Sequence, residues 1–535
     1  MKLLLSTLFL AVALHAQGGA VEGRVVSATD GAPIRKADVL LRAAALAADP
    51  VAGPARASYL TRTDSSGRFS VLGVAPGSYE CAASRAGFGA VAPDRFATVA
   101  ATPRIEVGNG ARVADVVLRL TPLGVIAGRV LDGEGYPVSG ASVWAMQYGY
   151  QQGRKVLVPR GLVHSDDRGE YRLYDLFPGT YYPFASKEPA GSWPVARALA
   201  AFRTGYHPAS PDAAQASPVE VAAAAETRSI DIRLQPLKTF SISGKWPGTS
   251  SLGRGASFTL TAQRRPPDPD SPENFGVTTS SNTWKLADVP PGSYEVRMTG
   301  RDPSAGAFQV ARALVDVVDA DVDGVDLSFS PGPAISFAVK PANTITVALD
   351  SLRVTLVPVE GGQQYAGRLK ADGTSSTVGV FPGVYGIVVE PAEKVYPKSI
   401  KLGDRELADR RVDLTGGGGG VLAIVVAADF ATVQGTVTDA GGSPAAGQNV
   451  TLIPDQTQAD WKGWFRETLT GQDGRFAIRG VAPGRYTAFA WQDAPRGAPE
   501  SAEFRRPFEP LGLAVTVAPA SQQTIELKAI IAAKQ

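Results

Sequence analysis

The string Pro-Gly-x-Tyr occurs five times in this chain: Pro76-Gly77-Ser78-Tyr79, Pro178-Gly179-Thr180-Tyr181, Pro291-Gly292-Ser293-Tyr294, Pro382-Gly383-Val384-Tyr385 and Pro483-Gly484-Arg485-Tyr486. The prolines are 102, 113, 91 and 101 residues apart, one small domain each time. Seven residues before the proline stands an aromatic in four copies, Phe69, Tyr171, Trp284 and Phe476, and Ser375 in the fourth copy. Two residues further upstream is a glycine in four copies, Gly67, Gly169, Gly373 and Gly474, and Asn282 in the third. Phe69-x-Val71, Tyr171-x-Leu173 and Phe476-x-Ile478 alternate as half-buried strands do. Pro-Gly fits the central positions of a type II turn, so each copy predicts a hairpin of strand, turn and strand. The tyrosine opens the second strand, where its ring can be buried and its hydroxyl can bond back to the turn.

Two further blocks repeat. Upstream stand Gly23-Arg24-Val25, Gly128-Arg129-Val130 and Gly435-Thr436-Val437, with a proline (Pro33, Pro137, Pro444) six residues before Val39, Val143 and Val450. Copy three keeps only Gly244 of this block, and copy four keeps no glycine there. Downstream, short alternating runs close the copies: Val116–Leu120, Ile230–Leu234, Val325–Phe329 and Thr524–Leu527. Many short strands per hundred residues, parted by Gly and Pro turns, predict an all-β chain, a tandem array of about five antiparallel β-sandwich domains. The Gly count of 58 and Pro count of 40 in 535 residues agree with a turn-rich chain. The repeat places the domains at 17–122, 123–236, 237–331, 332–428 and 429–535, with the third and fourth degraded.

These blocks resemble the carboxypeptidase regulatory-like domain, whose run is G-x-V-x-D-x-x-G-x-P, then A-x-V, then D-x-x-G-x-F ending in P-G-x-Y. Copies one, two and five follow it closely. The resemblance implies a transthyretin-like sandwich, also classed as a carbohydrate-binding-like fold. It also implies secretion in a bacterial cell envelope and a non-catalytic role; it names no ligand. The last copy, with Phe489-Ala490-Trp491 and Glu503-Phe504-Arg505-Arg506-Pro507-Phe508, is similar to exported bacterial proteins built of these modules.

The N-terminus points the same way. Met1-Lys2, the apolar run Leu3 to Leu14 and the small Ala16 form an export signal, residues 1–16, and no cysteine marks a lipoprotein cleavage site. An apolar run this short spans a bilayer poorly. The strongest later run, Val421–Val426, suits a buried strand, so no transmembrane segment is expected after cleavage. The expected location is the periplasm, the cell surface or the medium. With 53 basic and 51 acidic residues there is no field for nucleic acid.

Enzyme chemistry finds no footing in the residues. Zinc peptidases need clustered His and carboxylate ligands, and of three histidines only His164 and His207 outlast the signal, 43 residues apart. Cys81 is the single cysteine and alternates with apolar neighbours, so it reads as buried and inert. G-x-S-x-G, phosphate loops and dinucleotide fingerprints are absent from the sequence, and no cofactor is expected. Asp319-Ala320-Asp321-Val322-Asp323-Gly324 begins like a calcium loop, but position twelve is Ser330, so it reads as an acidic turn before a strand. Two aromatic clusters remain: Trp461-Lys462-Gly463-Trp464-Phe465 in copy five, and Trp144, Tyr148 and Tyr150 in copy two. They serve either as rings for a sugar or as packing between domains. The expected function is a secreted, non-catalytic binding or scaffold protein of the envelope. Its partner would be a glycan or another envelope protein, and a dedicated carbohydrate-binding protein is the alternative.

Overall fold

The structure, a computed structural model, describes residues 18–43, 58–90, 104–151, 153–187, 203–211, 213–236, 239–247, 257–265, 276–279, 282–301, 308–342, 347–359, 363–375, 378–455 and 464–532. The signal segment 1–16 lies outside them. Among the described residues the chain is almost wholly strand, and its one α-helix is the four-residue turn Ala502–Arg505. It falls into two compact units. One holds the chain up to Val125 with Tyr174–Gly179 and Glu220–Thr227; the other holds Ile126–Leu173, Thr180–Val219 and Arg228–Gln535.

The first sandwich shows the plan. One sheet runs Arg68–Val74, Gly19–Ser27, Arg112–Pro122, Phe88–Gly89; the other runs Ser58–Arg62, Asp38–Ala43, Gly77–Ser84, Arg104–Val107. Alternate residues of both sheets, among them Val25, Leu41, Phe69, Val71, Tyr79, Cys81 and Leu118, form one buried core. The third copy repeats this with Ile242, Trp284, Leu286, Tyr294 and Val296, and the fourth with Phe337, Val354, Leu356, Tyr385 and Ile424. In the fifth copy the two layers are one seven-stranded sheet. Its last strand, Gln522–Ile531, pairs first with Ala431–Thr438 and further along with Gly484–Gln492.

Most pairings are antiparallel, but the first strand of a sandwich takes the last one in parallel. Val25 stands opposite Leu118, Val130 opposite Ile232, Phe337 opposite Leu422 and Val437 opposite Leu527. The glycines of the upstream block explain themselves here. A Cβ on Gly23, Gly128, Gly244 or Gly435 would lie within 2.1 Å of a carbonyl oxygen of the closing segment. Only a bare Cα lets the two backbones approach this closely.

The Pro-Gly pairs do connect two strands, yet the hairpin expected there is not what forms. In copies one to four the strand before the proline and the strand after it belong to different sheets, and in copy five they are not neighbours in the sheet. Each pair is therefore an arch that carries the chain across the core. The type II turn is absent too. Gly77, Gly179 and Gly292 have φ of 158°, 155° and 156°, and Gly383 and Gly484 are not at positive φ; a type II turn needs about +80°. The glycine instead begins the new strand under the tyrosine ring, and a Cβ on Gly77 would sit 3.4 Å from a ring carbon of Tyr79.

That fold-back brings the hydroxyl to the carbonyl just before the proline. Tyr79 Oη donates to Ala75 O at 2.8 Å, Tyr294 to Pro290 O at 2.9 Å, Tyr385 to Phe381 O at 2.5 Å and Tyr486 to Ala482 O at 2.7 Å. The rings are buried, Tyr79 at 2% exposure and Tyr486 at 1%. The left-handed residue of the arch lies elsewhere, three positions before the proline: Gly73 (φ 71°), Asp175 (φ 57°) and Gly480 (φ 70°). At Gly73 and Gly480 it forms a bulge, because the pairing register slips there by one residue.

The arch sets the expected effect of three substitutions. Tyr486→Phe should cost about 0.5–1.5 kcal/mol, the worth of one hydrogen bond, and Tyr79→Ala about 3–5 kcal/mol for a lost buried ring, both read by urea denaturation. Asp175→Gly should raise stability by roughly 0.5–1 kcal/mol, because a residue with a Cβ is strained in the left-handed region. A loss of stability in that variant would show that Asp175 does more than fill a bulge.

Candidate functional site

The residues singled out for binding lie on or beside strands that face outward from a core. In the second sandwich, strand Ser142–Gln151 buries Val143, Ala145 and Gly149 and turns Trp144, Tyr148 and Tyr150 to its other face. Trp144 stands opposite Leu162 on one side and Phe184 on the other. Its ring centre is 5.5 Å from that of Phe184, which lies 4.8 Å from Tyr206. Tyr148 meets Tyr182 edge-on at 5.1 Å, and the Lys155 ammonium sits 5.1 Å from the Tyr148 ring centre. Tyr148 is 38% exposed. Tyr150 instead meets Phe504 of the fifth sandwich, edge-on at 5.8 Å. Burial, then the nearby Glu503 carboxylate, pushes the Tyr150 phenol up from its ordinary value.

The cluster in copy five is described only in part: Trp461 lies outside the described residues. Trp464 is half-buried and stands between the fourth and fifth sandwiches. Its ring meets Tyr396 edge-on at 5.9 Å, and the Arg410 guanidinium carbon is 3.8 Å from the ring centre. Tyr396, Ala427 and Ala482 form the buried centre of this contact, with Phe430 and Trp464 packed on it. Tyr396 Oη donates to Asp429 Oδ1 at 2.6 Å. Burial lowers the Arg410 guanidinium to about 10, so it sits in a dry setting where an aromatic face counts for most. Phe465 is half-buried, and its carbonyl accepts from Arg466. Arg466 also reaches the carbonyls of Gly480 at 3.1 Å and of Ala392, in the fourth sandwich, at 3.4 Å.

A matching joint between the third and fourth sandwiches has no signature in the repeat. Glu295, 2% exposed, pairs with Arg297 at 2.7 Å and Arg265 at 3.0 Å. The Arg297 guanidinium then covers Phe381 at 4.8 Å. Phe381 immediately precedes Pro382-Gly383, and its carbonyl receives the Tyr385 hydroxyl. Beside it, Val310 of the third sandwich enters the core of the fourth.

The acidic run of the third sandwich holds its own backbone. Asp321 Oδ1 accepts from the Ser241 amide at 2.8 Å, and Asp323 accepts from the Ser243 hydroxyl. Val322 between them bridges to Ile242 in parallel. The Ser241 bond is the main reason the Asp321 carboxyl lies below its ordinary value. Asp319 is exposed. Among the described residues no group of three or more His, Cys, Asp or Glu side chains is placed to hold a metal ion. The Cys81 thiol is buried and pushed up to about 12 by desolvation, far from a reactive thiolate. His207 Nδ1 lies 2.7 Å from the Asp231 carbonyl, a structural contact.

Two outcomes are expected. Asp321→Ala should lower the melting temperature of the third sandwich equally with and without a chelator, and chelator alone should leave the wild type unmoved. Because the Asp321 carboxyl is depressed in the folded state, its contribution is present above the unfolded value of about 4 and disappears as pH falls through the folded value. A chelator-induced drop reversed by calcium would assign the run to a metal. Trp464→Ala should weaken the joint between the fourth and fifth sandwiches by about 2 kcal/mol, seen as separation of their calorimetric transitions.

Comparison with known proteins supplies the family. The sequence model of the carboxypeptidase regulatory-like domain matches residues 20–118 and 432–527. Residues 123–236, which carry the same motif, lie outside the match. No curated protein matches the chain. Among solved structures, it is similar to the minor pilin GBS52 of Streptococcus agalactiae, at 12% identity over 42% of this chain and 98% of that one, TM-score 0.23. It is similar also to the major pilin subunit BcpA of Bacillus cereus, at 8% identity over 97% and 99%, TM-score 0.15. At scores this low the superpositions define no common arrangement. The family match falls on the first and fifth sandwiches, each with its glycine against the closing strand and its tyrosine bonded across the arch. The first and last sandwiches of this chain are carboxypeptidase regulatory-like domains.

Proposed function

We propose that the chain is an exported, non-catalytic scaffold of the cell envelope that works by presenting rigidly joined sandwiches to a partner. The observation that carries this reading is the construction of the joints. From the third sandwich to the fifth, the chain places an arginine on an aromatic ring at each boundary, Arg297 on Phe381 and Arg410 on Trp464. Such contacts hold neighbouring modules at fixed angles; a chain of modules on loose linkers would not need them. Export rests on the apolar segment Leu3 to Leu14 ahead of Ala16. No described helix is long and apolar enough to cross a membrane.

Glycan binding is a second reading, favoured by one face. Trp144 and Tyr148 share one face of strand Ser142–Gln151, four residues apart, and the Lys155 ammonium lies over the Tyr148 ring, a row of aromatic faces of the kind that stacks on pyranose rings.

The readings part on one set of measurements. The scaffold reading expects the 17–535 chain to leave peptide, ester and glycoside substrates unhydrolysed, and expects limited proteolysis to spare the joints at Phe381 and Trp464. Cleavage at either joint as fast as in a denatured control would refute a rigid scaffold. On a glycan array, retention that is lost in Trp144→Ala at unchanged melting temperature would move the assignment to a carbohydrate-binding protein.

A further inference from the structure

Between its strand Gly484–Gln492 and strand Leu513–Val517 the fifth sandwich makes an excursion of short helical turns, Ala498–Glu500, Ala502–Arg505 and Arg506–Leu511. It is well anchored. Phe504 and Phe508 pack on Trp491 at 5.5 and 5.3 Å, Trp491 stacks on Phe489 at 5.0 Å, and Trp491 Nε1 donates to Thr451 Oγ1 at 2.9 Å. The Ser501 hydroxyl accepts from the Phe504 amide, and Arg505 donates to the Pro499 carbonyl at 2.7 Å. Phe504 is 5% exposed and Trp491 1%.

The tip of a hairpin from the second sandwich rests on this excursion. Its strands are Ser142–Gln151 and Arg154–His164. Tyr150 meets Phe504 and joins the same cluster. The backbones touch at two glycines, one from each side. A Cβ on Gly153 (φ 73°) would lie 3.1 Å from the Glu500 carbonyl oxygen, and a Cβ on Gly497 (φ 77°) would lie 3.0 Å from the Tyr150 carbonyl oxygen. Each glycine leaves room for the other segment's main chain.

We infer that the excursion is an intramolecular latch that receives the Tyr150–Gly153 tip and closes the chain between Gly153 and Glu500 into a circuit. The joints at Phe381 and Trp464 link sandwiches that are neighbours in sequence. This one links the second sandwich to the fifth, with two others between them. It brings together segments that lie two sandwiches apart along the chain, so it relies on the high effective concentration that the intervening joints provide. The latch goes beyond the scaffold reading and rests on the joints that carry it.

Hydrogen exchange in the full chain tests the latch from both sides and leaves the two glycines in place. Phe504→Ala should speed exchange of the amides at 150, 151 and 153 about 10-fold, the effect of losing about 1.4 kcal/mol of contact. Tyr150→Ala, made in the second sandwich, should speed exchange of the amides at 503–505 by a similar factor. The latch is refuted if exchange at 150, 151 and 153 is unchanged in a Phe504→Ala chain. It is equally refuted if exchange at 503–505 is unchanged in Tyr150→Ala, a variant that leaves the core of the fifth sandwich untouched.

Discussion

A tyrosine hydroxyl that reaches back four residues to the carbonyl before a proline is the contact from which the rest of each sandwich follows. The arch has to carry the chain from one sheet to the other through the core, where a bare carbonyl would be expensive. Proline removes a donor that would also need a partner. The phenol satisfies the remaining acceptor, and its ring fills the space between the sheets at the point of crossing. With that crossing fixed, the alternation of the flanking strands decides which side chains enter the core: Phe69 and Val71 on one side, Cys81 and Ala83 on the other.

Much of this could be read in the sequence because it depends on local chemistry repeated five times. Period-two alternation marks the strands, and the Asp-x-x-Gly turns mark their ends. The geometry of the arch could not be read in the same way. Pro-Gly between two strands looks alike whether the strands pair or part, because the difference lies in hydrogen bonds to residues far along the chain. The left-handed position three residues before the proline is not legible as a motif, because it is Gly73 and Gly480 in two copies but Asp175 in another. The parallel first and last strands went unseen because residues about ninety apart have no local signature.

The aromatic clusters show the same limit. A ring beside a strand has one appearance in sequence whether it faces water or another module. Trp464 is placed by Arg410 and Tyr396 of the preceding sandwich, and Tyr150 by Phe504 of a sandwich three copies away. Neither partner belongs to the repeat. Arg410 and Phe504 are departures from the common pattern, which is why alignment of the copies passes over them. What distinguishes one module from the next is carried by these departures, whereas the blocks the copies share build the sandwich itself.

The parallel pairing of first and last strands has a mechanical meaning. In the first sandwich the chain enters along Gly19–Ser27 and leaves along Arg112–Pro122, and the two lie side by side pointing the same way. A pull on the two ends drags these strands past each other along their length. Every hydrogen bond between them is then loaded in shear and must give at once, unlike a hairpin, which unzips one bond at a time. The fifth sandwich repeats the arrangement with Ala431–Thr438 and Gln522–Ile531. A chain tethered at both ends would meet force first at its strongest seam, and the arches, corners and cores behind that seam would bear no load until it failed.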